Sequence, residues 1–265
     1  MHRIAMGKGR LGMQHNRIIQ LLATVSVVTV VGAGMYWQHR LTPLTKTKVK
    51  ATTIPTVFVA GDYARAFSTD GFVHRLSGAK LMTKALVVHV TYHGHLNIQQ
   101  YAPLRHNPTI QVVFADNHHP ARQARQLAVV MQHLKQHYHV NTFNAVGHSS
   151  GGNIIFDYLA NTAHQTVQPR IHKFVTIAST YPHPEVALSK LPSNLPILNI
   201  AGQIWQTAGD GEVRLKGVLA FSTALKQHGF KPKTTIMHGG PLTVEHSMLH
   251  INPAVDREIV TFLYQ

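Results

Sequence analysis

The sequence predicts an α/β fold with three layers, in which helices flank a mainly parallel sheet. Runs rich in β-branched residues alternate with helical patterns along residues 54–265, and such alternation is typical of βαβ crossovers. The hydrophobic fraction of 44% is large enough for a buried core and argues against a disordered chain. Cysteine is absent, which excludes disulfides, thiol catalysis and cysteine-based zinc sites.

The first 53 residues are expected to lie outside this fold. Residues 1–17 form a basic tail, expected in the cytoplasm, and residues 18–37 are twenty residues without a formal charge. Such a segment is long enough to cross a bilayer and predicts a transmembrane signal anchor; a signal peptide cleaved near Ala33 is the alternative. Residues 38–53 are polar and rich in Thr and Lys, as in a linker. We therefore expect a single-pass protein of the cell membrane with its large domain outside, or a secreted domain after cleavage.

The charge distribution narrows the classes of partner. The chain has a formal net charge of +15, of which the part after residue 50 carries +7. This moderately basic part suits contact with a membrane surface or an anionic cell-wall polymer. It contains no dense run of Lys and Arg with interleaved aromatic residues, so a nucleic-acid partner is not indicated.

The elements of residues 54–265 follow from their hydrophobic patterns. Strands are predicted at 54–60, 85–92, 109–115, 142–146, 173–178, 197–201 and 234–237. Helices are predicted at about 120–138, 150–163, 214–229 and 253–264. Residues 181–195 contain three prolines and are expected to be a loop.

Residues 147–151 read Gly-His-Ser-Ser-Gly and form a G-x-S-x-G pattern where a predicted strand meets a predicted helix. The sharp turn that this pattern predicts strains the central serine and exposes its Oγ. It leaves room only for glycine at the positions two residues before and two residues after the serine. Ser149 is therefore the predicted nucleophile. A helix N-cap is its alternative role, but a cap would not require the two glycines. The backbone N–H of Ser150 is expected to donate to the oxyanion.

A serine hydroxyl is a weak nucleophile, so it needs a general base that is itself oriented by a carboxylate. Seven acidic residues follow Ser149, and three of them fall within predicted helices. Asp210 comes shortly after the strand predicted at 197–201 and before a helix, which is the position expected for the acid. Glu212 is the alternative, and a turn or a cap is the other role open to either residue.

The base is expected in the loop after the last predicted strand. His246 follows a glycine-rich turn and precedes the terminal helix, so it is the predicted base, whereas His238 and His250 are expected to be exposed or packing residues. The chain has 21 histidines, and its other histidine clusters are interpreted as surface or strand residues, so a metal site is not expected. Those clusters are His89/His93/His95, His118/His119 and His137/His139.

These motifs, with residues 57–61 and 107–117, resemble those of the cell-surface α/β-hydrolases of lactic acid bacteria and related Gram-positive bacteria, the DUF915 group. The resemblance covers about residues 54–264. It implies an α/β-hydrolase fold and an exported or membrane-anchored serine hydrolase. It also implies a triad of Ser149, Asp210 and His246.

The resemblance further implies a second oxyanion donor, the backbone N–H of Asp62, in the loop after the first strand. The family usually has His-Gly in this loop, where this chain has Ala60-Gly61. A carboxylate close to a developing oxyanion is unfavourable unless it points away or pairs, for example with Arg65.

The expected reaction is hydrolysis of a carboxylic ester or thioester of a small molecule or a lipid, through an acyl-enzyme and without a cofactor. Two other functions stay open. One is a surface binding protein in which the altered oxyanion loop prevents turnover. The other is an acyltransferase that uses the same triad with an acceptor other than water.

Overall fold

The computed structural model describes residues 6–61, 66–162 and 164–265. The chain divides between Pro43 and Leu44 into two units, and helix α1 (Met6–Thr45) begins in the first of them. Within the described ranges, no helix has both the length and the apolar character that crossing a membrane requires. The signal anchor predicted at residues 18–37 is therefore not supported.

The second unit contains a sheet and the helices around it. The strands are β1 (Thr56–Val59), β2 (Thr83–Val90), β3 (Leu96–Gln100), β4 (Pro108–Phe114), β5 (Thr142–His148), β6 (Arg170–Ile177), β7 (Ile197–Ile204) and β8 (Lys233–Gly239). The α-helices are α2 (Ala66–Gly78), α3 (Pro120–Tyr138), α4 (Ser150–Thr162), α5 (Glu185–Leu188), α6 (Leu215–Gln227), α7 (Pro241–Val244) and α8 (Pro253–Tyr264). A 3₁₀ helix (His246–Ile251) lies between α7 and α8.

Eight strands of the described chain form one sheet in the order β3-β2-β4-β1-β5-β6-β7-β8. The edge strand β3 pairs antiparallel with β2, and all other neighbours pair parallel. Parallel strands end at the same edge of a sheet, which is where open α/β sheets bind their ligands. The loops after β1, β5, β7 and β8 therefore share one edge, and these loops carry the predicted site residues.

Helices cover both faces of the sheet, which gives the expected three layers. One face carries α3, α4 and α6, whose buried residues include Leu127, Ile155 and Phe221. The other face carries α2 and α8, whose buried residues include Phe72 and Ile259. Burying an apolar side chain of this size contributes about 1.5–3 kcal/mol, so the packing on both faces stabilises the sheet.

The predicted strands and helices of residues 54–265 are all present, with ends that differ by a few residues. The predictions miss β3 because it is a short edge strand. Leu96 and Ile98 pack on the core, while the alternate side chains are polar and exposed. Gly94, with φ of +85°, lies in the turn that connects β3 to β2.

Helix α2 is also missed, because its sequence contains glycine, serine and threonine, which have low helix propensity. Tertiary packing overrides this propensity. Phe72, Val73 and Leu76 are buried, and the helix packs on β2 and β4 and against α8. Residues 181–195, expected to be a loop, contain the single turn of α5.

The second unit starts before the expected boundary at residue 54. Leu44 is fully buried, in the same core cluster as the buried residues of α2 and α8. Lys50 N donates to Tyr264 O at 3.1 Å, and Tyr264 OH lies 2.7 Å from Thr56 Oγ1. The later part of the expected linker is therefore bonded to the last helix of the domain.

Candidate active site

The turn between β5 and α4 holds Ser149 in a strained conformation. Its φ is +56°, in the left-handed region that residues other than glycine rarely adopt. Ser149 N donates to Ile177 O at 2.9 Å, and Ser149 O accepts from Ser179 Oγ at 2.7 Å. The neighbouring strand β6 and the residues after it thus fix both sides of the peptide, and strain fixed in this way is typical of functional residues.

Glycines allow the chain to pass close to Ser149. A Cβ atom on Gly147 would lie 2.6 Å from the carbonyl carbon of Gly151, and one on Gly151 would lie 2.9 Å from the carbonyl carbon of Ala60. A Cβ on Gly61 would lie only 2.7 Å from the Cβ of Ser149. The loop after β1 therefore passes directly beside the serine, which an alanine at Gly61 or Gly151 would prevent, while an alanine at Gly147 would disturb the turn itself.

The predicted oxyanion donors are the backbone N–H groups of Ser150 and Asp62. Ser150 is the first residue of α4, so its backbone follows Ser149 into the start of a helix. Asp62 and Arg65 lie outside the described residues. The last described residue before them is Gly61, which contacts Ser149.

Asp210 and His246 are hydrogen-bonded to each other in the interior. Asp210 Oδ2 lies 3.0 Å from His246 Nδ1, and both side chains are almost completely buried. The other carboxylate oxygen accepts from the backbone N–H groups of Glu212 at 3.0 Å and Val213 at 2.7 Å. In addition, His246 N donates to Asp210 O at 2.9 Å. This arrangement fixes the imidazole orientation and favours a proton on Nδ1, which leaves Nε2 available as a base.

The 3₁₀ helix that carries His246 is anchored at its start. The carboxylate of Glu245 accepts hydrogen bonds from Ser247 N at 3.0 Å and from Met248 N at 3.3 Å. A carboxylate at this position satisfies N–H groups that have no partner within the helix. Glu245 therefore holds the first turn, and with it the direction in which His246 points.

A buried ion pair holds the same helix from its other side. Arg75 Nε lies 2.5 Å from Asp256 Oδ2, and Arg75 Nη2 lies 3.0 Å from Asp256 Oδ1. The same Nη2 donates to His250 O at 2.8 Å. Arg75 thus ties α2 to the 3₁₀ helix and to α8. Sequence reasoning misses this pair because its members are 181 residues apart.

His148 connects the serine turn to the histidine helix. Its Nε2 lies 3.0 Å from His246 O, and its ring centroid lies 4.7 Å from that of His246 and 5.5 Å from that of His250. Burial lowers the pKa of His148 well below its ordinary value, and burial, with Arg75 nearby, lowers the pKa of His250 to about 4. Both rings are therefore neutral at pH 7, and His148 donates its Nε2 proton to the carbonyl of His246.

The pKa of His246 is shifted in the opposite direction. Burial lowers it, but the hydrogen bond and charge of Asp210, with the charges of Glu212 and Glu245, outweigh burial, so the pKa lies above its ordinary value of 6.5. A histidine whose pKa lies near the working pH is a good proton acceptor. The pair of Asp210 and His246 is thus suited to general base chemistry.

The two candidate acids lie at different nitrogens of His246. Asp210 is bonded to Nδ1, whereas Glu212 Oε2 lies 3.7 Å from Nε2 and its side chain is 64% exposed. Within the described part of the chain, no hydrogen bond joins Ser149 Oγ to His246; their connection runs through His148. Catalytic hydrogen bonds are often long without substrate and shorten when it binds.

His238 and His250, the other two histidines near the predicted base in sequence, are not hydrogen-bonded to Asp210. His238 is the penultimate residue of β8 and is exposed, and His250 packs with its ring 6.4 Å from that of Phe72. Across the residues that the structure describes, no group of three or more His, Asp or Glu side chains is arranged to hold a metal ion.

The family model "Alpha/beta hydrolase of unknown function (DUF915)" matches residues 43–187 and 185–265. The chain belongs to the DUF915 family. This DUF915 chain therefore has the α/β-hydrolase fold, as its mainly parallel sheet flanked by helices also shows. No curated protein matches it.

Two solved structures show the same fold as the DUF915 chain. The product of gene lin2722 from Listeria innocua has a TM-score of 0.71 and 22% identity, over 79% of this chain and 93% of that chain. The "putative cell surface hydrolase from Lactobacillus plantarum WCFS1" has a TM-score of 0.65 and 23% identity, over 79% of this chain and 89% of that chain. At these identities the similarity is one of fold.

Proposed function

We propose that this DUF915 protein is a serine hydrolase that cleaves carboxylic esters through an acyl-enzyme. Ser149 is the nucleophile, His246 the general base and Asp210 the carboxylate that orients it. The observation that carries the proposal is the buried hydrogen bond of 3.0 Å between Asp210 and His246, beside a serine with φ of +56°. Both features lie at the edge of the sheet where parallel strands end.

The proposed reaction has two steps. Ser149 Oγ attacks the ester carbonyl carbon while His246 Nε2 takes its proton, and the tetrahedral intermediate collapses when His246 gives that proton to the leaving alcohol. Water then attacks the acyl group on Ser149, with His246 as base, and the acid leaves as Oγ recovers its proton. Asp210 stays ionised and stabilises the imidazolium in both steps.

Stabilisation of the oxyanion is assigned to backbone N–H groups, those of Ser150 and Asp62. The close approach of Gly61 to Ser149 supports a role for the loop after β1, because that loop then reaches the carbonyl under attack. One such donor contributes about 10²–10³ in rate.

A fluorophosphonate probe and p-nitrophenyl esters test the proposal. The probe should label the wild-type protein, and Ser149→Ala should lose both labelling and turnover, because loss of the nucleophile costs several orders of magnitude. Ser150→Ala is the matched control and should keep most activity, since its proposed donor is in the main chain. Turnover that survives in Ser149→Ala would overturn the proposal. Labelling without ester turnover would favour an acyltransferase, and no labelling would favour a binding protein on this fold.

We also propose that the domain works outside the cytoplasm. The basic start of the chain followed by an uncharged segment supports this, as does the charge of +7 after residue 50, which suits an anionic surface. The Lactobacillus protein of the same fold carries a name that describes it as a cell surface hydrolase.

A further inference from the structure

Glu212 occupies a defined position in the loop between β7 and α6. Gly211, with φ of +103°, directly precedes Glu212. The backbone N–H of Glu212 donates to Asp210 Oδ1 at 3.0 Å. The loop is closed by a bridge between Gly209 and Arg214. The position of Glu212 is therefore tied to Asp210 by the backbone, although its side chain is 64% exposed.

The carboxylate of Glu212 faces the nitrogen that handles the proton. Its Oε2 lies 3.7 Å from His246 Nε2. Glu245 also acts electrostatically on His246, but its carboxylate accepts hydrogen bonds from the 3₁₀ helix. Glu212 is thus a solvent-facing carboxylate beside Nε2, in a protein whose net charge is strongly positive.

The leaving group of an ester must pass this carboxylate. In the proposed reaction, Nε2 gives its proton to the leaving alcohol oxygen, which requires a separation of about 2.6–3.2 Å between the two atoms. Glu212, at 3.7 Å from the same nitrogen, therefore lies close to the oxygen of the leaving alcohol. A positive charge a few bonds beyond the ester oxygen would come close to Glu212.

We propose that Glu212 selects substrates by the charge of the leaving alcohol, and that the enzyme prefers esters of cationic alcohols to neutral or anionic ones. This inference rests on the proposed ester hydrolysis. Because the cation meets Glu212 both in the bound substrate and in the transition state, the preference lies mainly in KM. For unit charges about 5 Å apart at a partly exposed site, we expect a preference of about 3- to 10-fold.

Two esters of the same shape test this inference. Butyrylcholine has a trimethylammonium group where 3,3-dimethylbutyl butyrate has a neutral tert-butyl group. The ratio of their kcat/KM values, measured by titration of released butyric acid, isolates the effect of charge. In Glu212→Gln the ratio should fall about 3- to 10-fold relative to wild type, and added salt should lower the wild-type ratio.

Glu258→Gln is the matched control. Glu258 pairs with Lys233 at the start of β8, at the opposite edge of the sheet, so this variant removes the same charge far from His246. It should keep the wild-type ratio. An equal ratio in wild type and Glu212→Gln, or an equal fall in Glu258→Gln, would overturn the role of Glu212.

The neutral ester separates this inference from the proposed function. If turnover of the neutral ester depends on Ser149 but the ratio of kcat/KM values is the same in wild type and Glu212→Gln, the inference is rejected and the proposed function is kept. Absence of turnover of both esters by the wild-type protein would reject the proposed function and the inference with it.

Discussion

His148 Nε2 lies 3.0 Å from the carbonyl oxygen of His246, so the residue before the proposed nucleophile is hydrogen-bonded to the proposed base. This contact joins the end of β5 to the start of the 3₁₀ helix, and the two residues are 98 apart in the chain. It holds the backbone of His246 beside the residue that precedes Ser149. Small errors in the position of a catalytic base are costly, since a shift of about 1 Å can reduce a rate about 100-fold.

We therefore expect His148→Ala to lower kcat by about 10- to 100-fold with little change in KM. His148→Gln, which keeps an N–H donor, should recover part of the loss. The measurement is steady-state hydrolysis of a p-nitrophenyl ester, with circular dichroism as the check on folding. Equal activity of His148→Ala and wild type would show that the bond does not position the base.

Asp210→Asn should reduce kcat by about 10⁴-fold, because an amide at this position favours the wrong tautomer of His246. Glu212→Asn should act far more weakly on a neutral ester, since Glu212 does not contact Nδ1. The same ester assay compares the two variants. A larger loss of kcat in Glu212→Asn than in Asp210→Asn would show that Glu212, and not Asp210, is the carboxylate of the triad.

The pH dependence of kcat/KM should show the raised pKa of His246. Only the neutral imidazole accepts a proton, so activity should fall as the pH decreases through a value above 6.5. Glu212→Gln should move this midpoint to lower pH, because a charge that raises the pKa is removed, and Glu258→Gln should leave it unchanged. An unchanged midpoint in Glu212→Gln would contradict the electrostatic contact.

The same pKa shift affects stability with the opposite sign. A folded-state pKa that is raised stabilises the protonated form, so this contribution is complete below the unfolded value of about 6.5 and is lost as the pH rises through the folded value. Between these two values, the free energy of unfolding contributed by His246 should decrease while activity increases. Urea unfolding of wild type and His246→Ala at several pH values measures the difference.

Arg75→Ala should destabilise the protein by about 3–5 kcal/mol, because it leaves the buried Asp256 carboxylate without its partner. Arg75→Lys should be intermediate, since an ammonium cannot reproduce both hydrogen bonds. Urea unfolding provides the free energies. Lys233→Ala removes an exposed partner of Glu258 and should cost about 1 kcal/mol or less. Similar losses in Arg75→Ala and Lys233→Ala would show that burial does not strengthen the Arg75 pair.

Location outside the cytoplasm predicts that an amine-reactive biotin reagent that cannot cross membranes labels the protein on whole cells. Several lysines of the domain, such as Lys190 and Lys226, are exposed and available for this reaction. A cytoplasmic protein in the same sample is the control for lysis. Labelling that requires broken cells would reject the proposed location.

The sequence predicts most of this fold because its central strands are apolar, β-branched and well separated. Each of these strands can be recognised from its own residues, because a strand that is buried on both faces is apolar along its whole length. Strand β3 and helix α2 escape prediction because tertiary contacts stabilise them, such as the burial of Phe72 and Leu76 in α2.

The candidate site is predictable to the extent that its signals are local. The glycines around Ser149 reveal a strained turn, and the position of Asp210 after a strand indicates an acid. The contacts of Arg75 and of Glu212 depend on how distant loops meet, which no pattern along the chain records.

The bonds of Tyr264 to Lys50 and Thr56 have a consequence for how the protein is made. A ribosome synthesises the amino-terminal end first, so β1 is made long before Tyr264, which is hydrogen-bonded to Thr56 in β1. Helix α8 is the last of the described helices to be synthesised, and until it joins, the face of the sheet that it shares with α2 is only partly covered. Synthesis therefore passes through an incomplete form of the domain, in which apolar residues of this face are still exposed to water.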